Sequence, residues 1–208
     1  MLRAATHHPL AAAPGAHHVY SDLGFLVLLW IIEALGGPLR TPPGLRWGHP
    51  EAAATERCPT RGRVVDGVVH DLNAWSMGGR SSHAGLFGSA AAVAARARAL
   101  VRGHGPDEAA SAVLRRWWSE PSLGSHRGGW DRPTPGGSTG GALPEDAVGH
   151  LGYTGTSFWA SPSRDAVLVL LTNRIHEIDD TTAIKALRPA WHRAVAADLG
   201  WPAPEPPP

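Results

Sequence analysis

The sequence predicts a mixed α/β (α+β) chain in which an antiparallel sheet is flanked by helices. Three observations carry this: a two-strand pattern over 155–173, an apolar stretch at helical spacing over 20–37, and another over 180–201. A chain of 208 residues is long enough for one domain with a real core and short for two. With 43% apolar and 18% charged residues, the composition argues against disorder over the whole length.

Residues 1–19, rich in Ala, Pro and His, call for no fixed structure. In YSDLGFLVLLWIIEALGG, Asp22 or Ser21 supplies an N-cap. Phe25, Leu29, Ile32 and Leu35 recur at helical spacing, and Gly36-Gly37 stops the helix. This helix is apolar nearly all round and is therefore expected to be buried, with Trp30 in the core. Residues 38–68 read as loop, apart from RVVDGVV, an edge strand. HDLNAWSMGGRSSHAGLFGS is turns and small residues. Ser89 caps AAAVAARARALV, whose Val93, Ala97 and Val101 share a stripe, and Asp107 opens DEAASAVLRRWW.

TSFWASP and DAVLVLLTN read as the two strands of a hairpin, reversed at SPSRD. The second is apolar on both faces at Val167, Leu168, Val169, Leu170 and Leu171, which predicts an interior strand covered on both sides. A hairpin does not stand alone, and RVVDGVV is the best candidate for a further strand. Trp159 reads as core, and Trp130 as lying near a cleft rim. After the hairpin, Ile184, Leu187, Trp191, Val195 and Leu199 lie on one helical face, interrupted by Pro189, before the tail PAPEPPP.

The charge balance, 19 basic against 18 acidic residues, leaves +1 and no strong field for nucleic acid or an anionic membrane. RRWW at 115–118, with Asp107, Glu108 and Glu120 nearby, reads as one side of a packed helix rather than a base-stacking patch. GGSTGG has neither a preceding strand nor a following lysine, so it lacks the context of a phosphate loop. The apolar run LGFLVLLWII is about half of the roughly 20 residues a membrane span needs. The first residues lack the apolar core of a signal peptide, so a cytoplasmic product is the expectation. Cys58, the one cysteine, excludes an internal disulfide and reads as a bystander.

Three segments together carry a family resemblance: VYSDLGFLVLLWIIEALGG, RGRVVDGVVHDLNAWSMGGRSSHAGLFGSAAAVAARARAL and GHLGYTGTSFWASPSRDAVLVLLTNRIH. In this order, over most of residues 12–198, they resemble the serine β-lactamase-like family. The branch they resemble is the class C-type hydrolases and esterases related to penicillin-binding proteins. The resemblance implies a β-lactamase/transpeptidase-like fold and hydrolysis of an ester or amide through an acyl-enzyme. That chemistry uses a Ser-x-x-Lys nucleophile, a Tyr-x-Asn proton relay, and a Lys-Thr-Gly or His-Thr-Gly strand bordering the oxyanion hole.

Carried over by position, Tyr20 falls on the tyrosine and Asp22 on the asparagine. His150 falls on the Lys or His of the strand triplet, Leu151 on its threonine and Gly152 on its glycine. Tyr153 lines the strand edge, and a main-chain N–H near it falls on the oxyanion donor. The nucleophile has no counterpart. Lys185 is the sole lysine, and only Thr182, in TAIK, stands three residues before it. Nineteen residues precede Tyr20, too few for the family's nucleophile helix, and Gly37 runs almost directly into PLRTPPGLRWG where the family has a further helix. The expected organisation is a flexible segment at 1–19, an incomplete and truncated β-lactamase-related domain at 20–200, and a Pro-rich tail at 201–208.

Each site residue also has a plainer reading. Tyr20 would pack as a staple on the first turn of its helix. Without the family's lysine ammonium, and beside Asp22, its phenol is expected to stay protonated. His150 would satisfy a hydrogen bond at a strand start, and Asp22 would be an N-cap. His70, Asp71, Asn73 and His83 lack the tight spacing of metal ligands and are expected to tie a long loop to itself. No metal and no cofactor is expected. Ser21, Ser81, Ser82 and Ser157 are the serines a rebuilt nucleophile would use. The chain is thus read as a serine hydrolase by descent, impaired in these residues, with a small ester, amide or peptide-like substrate if active. The alternative is a non-catalytic remnant that binds a small ligand or a protein. Apolar surface left uncovered forgoes roughly 1.5–3 kcal/mol per large side chain, so self-association through it is expected.

Overall fold

The computed structural model describes residues 1–103, 105, 107–119 and 124–202. The chain divides into two compact units, Met1–Ala92 and Val93–Pro208. Glu120 and positions 203–208 of the expected tail lie outside the described residues. No helix among the described residues is long and apolar enough to cross a membrane.

In the first unit, α1 (Leu2–Thr6) forms within the segment that called for no fixed structure. It packs on α2 (Asp22–Ala34) and buries Ala5. The N-cap of α2 is Ser21, not Asp22: Ser21 Oγ accepts Leu23 N–H at 3.2 Å, and Asp22 supplies a carboxylate to the first turn. Gly36, at φ +75°, ends the helix as expected. The predicted burial fails. Leu26 and Leu29 are buried, but Leu28, Ile31, Ile32 and Leu35 are exposed, and Trp30, expected in the core, is 44% exposed. Periodicity marks which residues share a face; it does not supply a neighbour to cover that face.

RVVDGVV also behaves differently from expectation. β1 (Arg46–Trp47) pairs with β4 (Leu86–Phe87), and β2 (Glu56–Cys58) pairs with β3 (Arg63–Val65). The four residues 59–62, with Gly62 at φ +64°, fold β3 back onto β2, so it forms a local ribbon and does not extend the long hairpin. α3 (Leu72–Ser76) lies between β3 and β4 in sequence. α4 (Ala90–Val101) starts after the expected Ser89 cap, where Ala92 N–H reaches Ser89 Oγ at 3.2 Å, and runs into the second unit.

The second unit continues with α5 (Glu108–Ser119), opened by Asp107 as predicted: its Oδ1 accepts Ala110 N–H at 2.8 Å. An antiparallel five-stranded sheet follows in the order β5 (His126–Arg127), β6 (Trp130–Asp131), β7 (Val148–Leu151), β8 (Ser157–Ser161), β9 (Ala166–Leu170). The predicted hairpin is β8–β9, in register Trp159↔Leu168. β9 ends the sheet instead of lying inside it. Leu168 is buried while Val167 and Val169 are half-buried, so an unbroken apolar run does not by itself mark an interior strand.

Trp159, 1% exposed, fills the core with Leu143, Ala147 and Leu168. Its ring lies over Gly149, where an added Cβ would stand 2.7 Å from the indole. α6 (Thr182–Asp198) covers this core with Trp191 and Val195 and continues through Pro189. Its most buried line is Ile184, Arg188, His192 and Ala196, while Leu187 and Leu199 of the predicted face are exposed. The helix is rotated because Arg188 and His192 find carbonyl partners inside. His192 Nδ1 donates to Arg188 O at 2.7 Å and lies 3.2 Å from Ser138 O, with its ring edge-on to Trp159 and Trp191. The GGSTGG loop therefore packs on α6, where a Cβ on Gly140 would meet Pro189 O at 3.1 Å.

Burial lowers the His192 pKa below the ordinary imidazole value, against the pull of its two carbonyl partners. Between the folded and unfolded values the unfolded chain binds a proton that the folded ring refuses, so stability rises with pH across that interval. The contribution is complete above about pH 6.5 and is lost as pH falls through the folded value. Urea unfolding at pH 7.5 and pH 5.5 should show a lower midpoint at the acid value. His192→Gln should narrow the gap between the two midpoints; an unchanged gap contradicts this role.

Candidate active-site edge

In the first unit, Tyr20 stands just before the Ser21 cap and rests on Phe25, ring centroids 5.9 Å apart. These are the two positions of a hydrophobic staple, the plainer reading of Tyr20. Its hydroxyl reaches Asp22 Oδ1 at 3.4 Å. Partial burial, the Asp22 charge and this hydrogen bond, in that order, raise the phenol above its ordinary pKa. It is therefore protonated at neutral pH and is not a base there.

The loop after β3 forms a second polar group. Asp71 caps α3, its Oδ1 accepting Ala74 N–H at 2.7 Å. The same oxygen is 2.9 Å from His83 Nε2, while His83 Nδ1 is 2.8 Å from Ser81 Oγ. The backbone hydrogen bond and His83 lower the Asp71 pKa against a burial effect that raises it. His70 faces Glu56 at 3.1 Å, and these two with Asp71 and Asn73 line a cavity of about 310 Å³. Asp71 and His83 tie the loop to itself as expected, whereas His70 reaches out of it to Glu56 on β2.

Carboxylate, imidazole and hydroxyl thus stand in the order that activates a serine. Ser81, however, is 2% exposed, so a substrate carbonyl does not reach its Oγ. The other candidate serines are also committed or enclosed. Ser21 caps α2, Ser82 donates to Phe25 O at 2.6 Å, and Ser157 is buried within β8. The lone Cys58 is buried as well.

In the second unit, His150 sits on β7 opposite Phe158. Its Nδ1 donates to Leu151 O at 2.9 Å, which makes Nε2 the basic nitrogen of the neutral ring. The His126 ring is edge-on at 6.0 Å, and Trp130 meets Phe158 edge-on at 5.6 Å. Gly152 N–H donates to Thr156 O at 2.7 Å, and a Cβ on Gly152 would run into Thr156 Oγ1, so a side chain there would require the Thr156 hydroxyl to turn away. The Tyr153 ring turns outward to Arg174, whose guanidinium carbon lies 4.3 Å from the ring centroid, and the phenol donates to Asp179.

The residues that sequence reasoning missed are those that fix this turn. Every carbonyl from 152 to 156 accepts a hydrogen bond. Arg188 Nη2 donates to Gly152 O at 2.9 Å and to Thr156 O at 2.8 Å. Arg174 Nε donates to Tyr153 O at 2.6 Å and Arg174 N–H to Thr154 O at 2.9 Å. Thr172 Oγ1 donates to Gly155 O at 2.8 Å. Arg174 also pairs with Asp179. The Thr-Asn-Arg that closes the hairpin was a visible signal; Arg188, a charged residue within an apolar helical pattern, gave none.

Two outcomes follow. In a Tyr153→Phe background the remaining phenol is Tyr20, since the chain has two tyrosines. Its ultraviolet titration should have a midpoint above about 10, and Asp22→Asn should lower it; no movement contradicts the assigned cause. Arg188→Met removes two charge-assisted hydrogen bonds, each worth about 1.5–3 kcal/mol. Thermal unfolding should move down by several degrees, with faster amide exchange at Gly152; unchanged exchange there contradicts the anchoring role.

The beta-lactamase family model matches residues 1–189. A "Putative D-alanyl-D-alanine carboxypeptidase" of Salmonella agona (strain SL483) is 29% identical over 243 residues, covering 93% of this chain and 54% of that protein. Proteins of the same name from Salmonella newport (strain SL254) and Salmonella heidelberg (strain SL476) match with the same identity and coverage. The chain spans about half the length of the curated relatives it matches. Aligned positions outnumber its 208 residues, so the alignment passes over stretches of the relatives that have no counterpart here. With the Tyr-Ser-Asp helix and the His-Leu-Gly strand inside the matched region, the chain belongs to the beta-lactamase family.

Proposed function

We propose that this chain derives from a serine hydrolase that opens ester or amide bonds through an acyl-enzyme. In this reading these 208 residues hold the substrate edge of that site without turning substrate over. One observation carries it: the family match spans residues 1–189, yet no serine in the chain has a lysine three residues on. An acyl-enzyme needs a hydroxyl that a neighbouring base deprotonates. The family reading gives Tyr20 the proton-relay position, but partial burial and the carboxylate of Asp22 raise its pKa, which keeps the phenol protonated at neutral pH.

Binding at the edge needs less. His150 opens this edge on β7, its ring held by the Nδ1 hydrogen bond to Leu151 O. The turn at Gly152 and Tyr153 offers main chain already fixed in place, so little ordering entropy is lost on binding. Leu151 in place of the family's threonine removes a hydroxyl and favours an apolar ligand group at that position. The name of the relatives suggests a peptide ending in D-alanyl-D-alanine as the substrate class to test first.

An N-acylated peptide with that ending, added to the isotope-labelled chain, should shift amide resonances within 149–155 and release no D-alanine. Release of D-alanine that stops when a single serine is replaced would show a working hydrolase. Absent shifts would remove the binding role.

A further inference from the structure

We propose that Asp22, Asp71 and His83 form a binding site for one zinc-type divalent transition-metal ion, separate from the hydrolase reading. The three side chains come from separate stretches: the first turn of α2, the cap of α3 and the loop before β4. One ligand atom of each lies within 4.8 Å of the other two. Ligands around tetrahedral zinc at about 2.1 Å stand about 3.4 Å apart. The remaining closure falls to Asp22, which is only half-buried and whose helix start is held by the Ser21 cap.

Three further observations point to a cation. The His83 side chain is 2% exposed, and its Nδ1 lies against the hydroxyl of buried Ser81. Without a metal Nε2–H donates to Asp71 Oδ1 at 2.9 Å; a metal would take the place of that proton, and the ring would then donate Nδ1–H to the Ser81 hydroxyl, which accepts as well as donates. Ligating histidines are oriented by this kind of outer partner. The carboxylates of Asp22 and Asp71 share the cluster, yet no arginine or lysine among the described residues forms an ion pair with either. A divalent ion between them would be attracted by both charges. Asp71 also lines the cavity of about 310 Å³, so open space adjoins the cluster on its Asp71 side. One imidazole with two carboxylates suits zinc or cobalt better than calcium or magnesium, which favour all-oxygen shells.

The sequence alone hid this grouping. Spacing drew attention to His70, Asp71, Asn73 and His83, whereas the fold replaces His70 and Asn73 with Asp22, nearly fifty positions away.

The test uses the 208-residue chain, zinc in competition with a chromogenic chelator, and cobalt as a visible-spectrum reporter. The unaltered chain should bind one equivalent and give the absorption bands of low-coordinate cobalt. Asp22→Ala keeps the Ser21 cap and every contact of Asp71, so it is the deciding variant. It should lose at least the roughly ten- to hundredfold in zinc affinity that removal of an outer partner costs. Ser81→Ala should fall within that range, with an altered cobalt spectrum. His83→Gln should abolish the bands, with circular dichroism reporting its fold. If the unaltered chain binds no zinc, or Asp22→Ala binds it undiminished, the proposal is overturned; undiminished binding would place the ion on surface histidines such as His7, His8, His17 and His18.

Discussion

Five consecutive carbonyls, from Gly152 to Thr156, govern the arrangement of the second unit. A turn between two strands ordinarily leaves such groups to water. Here two guanidiniums, a threonine hydroxyl and main-chain amides satisfy all of them. Arg188 imposes the largest constraint, because a guanidinium this deeply placed is tolerable only when hydrogen-bonded. It therefore fixes the rotation of α6, and α6 in turn sets Trp191 and Val195 over Trp159. The β7–β8 turn, the helix and the core are one mechanical assembly, and His150 stands at its start.

That rigidity bears on function. A preorganised edge is what acyl-transfer chemistry uses to hold a carbonyl, and the proposed function assigns that use to this turn. Among the described residues, none of the candidate serines combines an accessible hydroxyl with a base. Ser81 has an imidazole and a carboxylate behind it, but packing encloses it. Ser21 is near the surface, but it caps α2. For Tyr20, burial and Asp22 favour the protonated phenol. The parts of a catalytic relay are present in pieces, each used for a structural purpose.

Much of the fold was legible because short-range rules act locally. The Ser89 and Asp107 caps, the Gly36 stop and the β8–β9 hairpin follow from side chains bonding or packing within a few residues of themselves. The family was legible in the order of three segments. Errors arose where the outcome depended on a distant neighbour. RVVDGVV found a nearer partner in β2, β9 ended the sheet despite its unbroken apolar run, and α2 kept much of its apolar surface uncovered. The buried face of α6 was missed because Arg188 and His192 look like solvent residues until carbonyls appear beside them. Tyr20, Asp22, His150, Gly152 and Tyr153 were assigned from motif positions alone. Arg174 and Arg188, which hold the edge still, could not be found that way, since their role rests on contacts across 21 to 36 positions.

The central claim is that these residues keep the frame of an acyl-enzyme site without an activated hydroxyl. Intact-mass measurement after exposure to a fluorophosphonate and, separately, to benzylpenicillin tests it most directly. The account predicts an unmodified mass with both reagents while the chain is folded. A stoichiometric adduct on one serine, lost when that serine alone is changed to alanine, would contradict it.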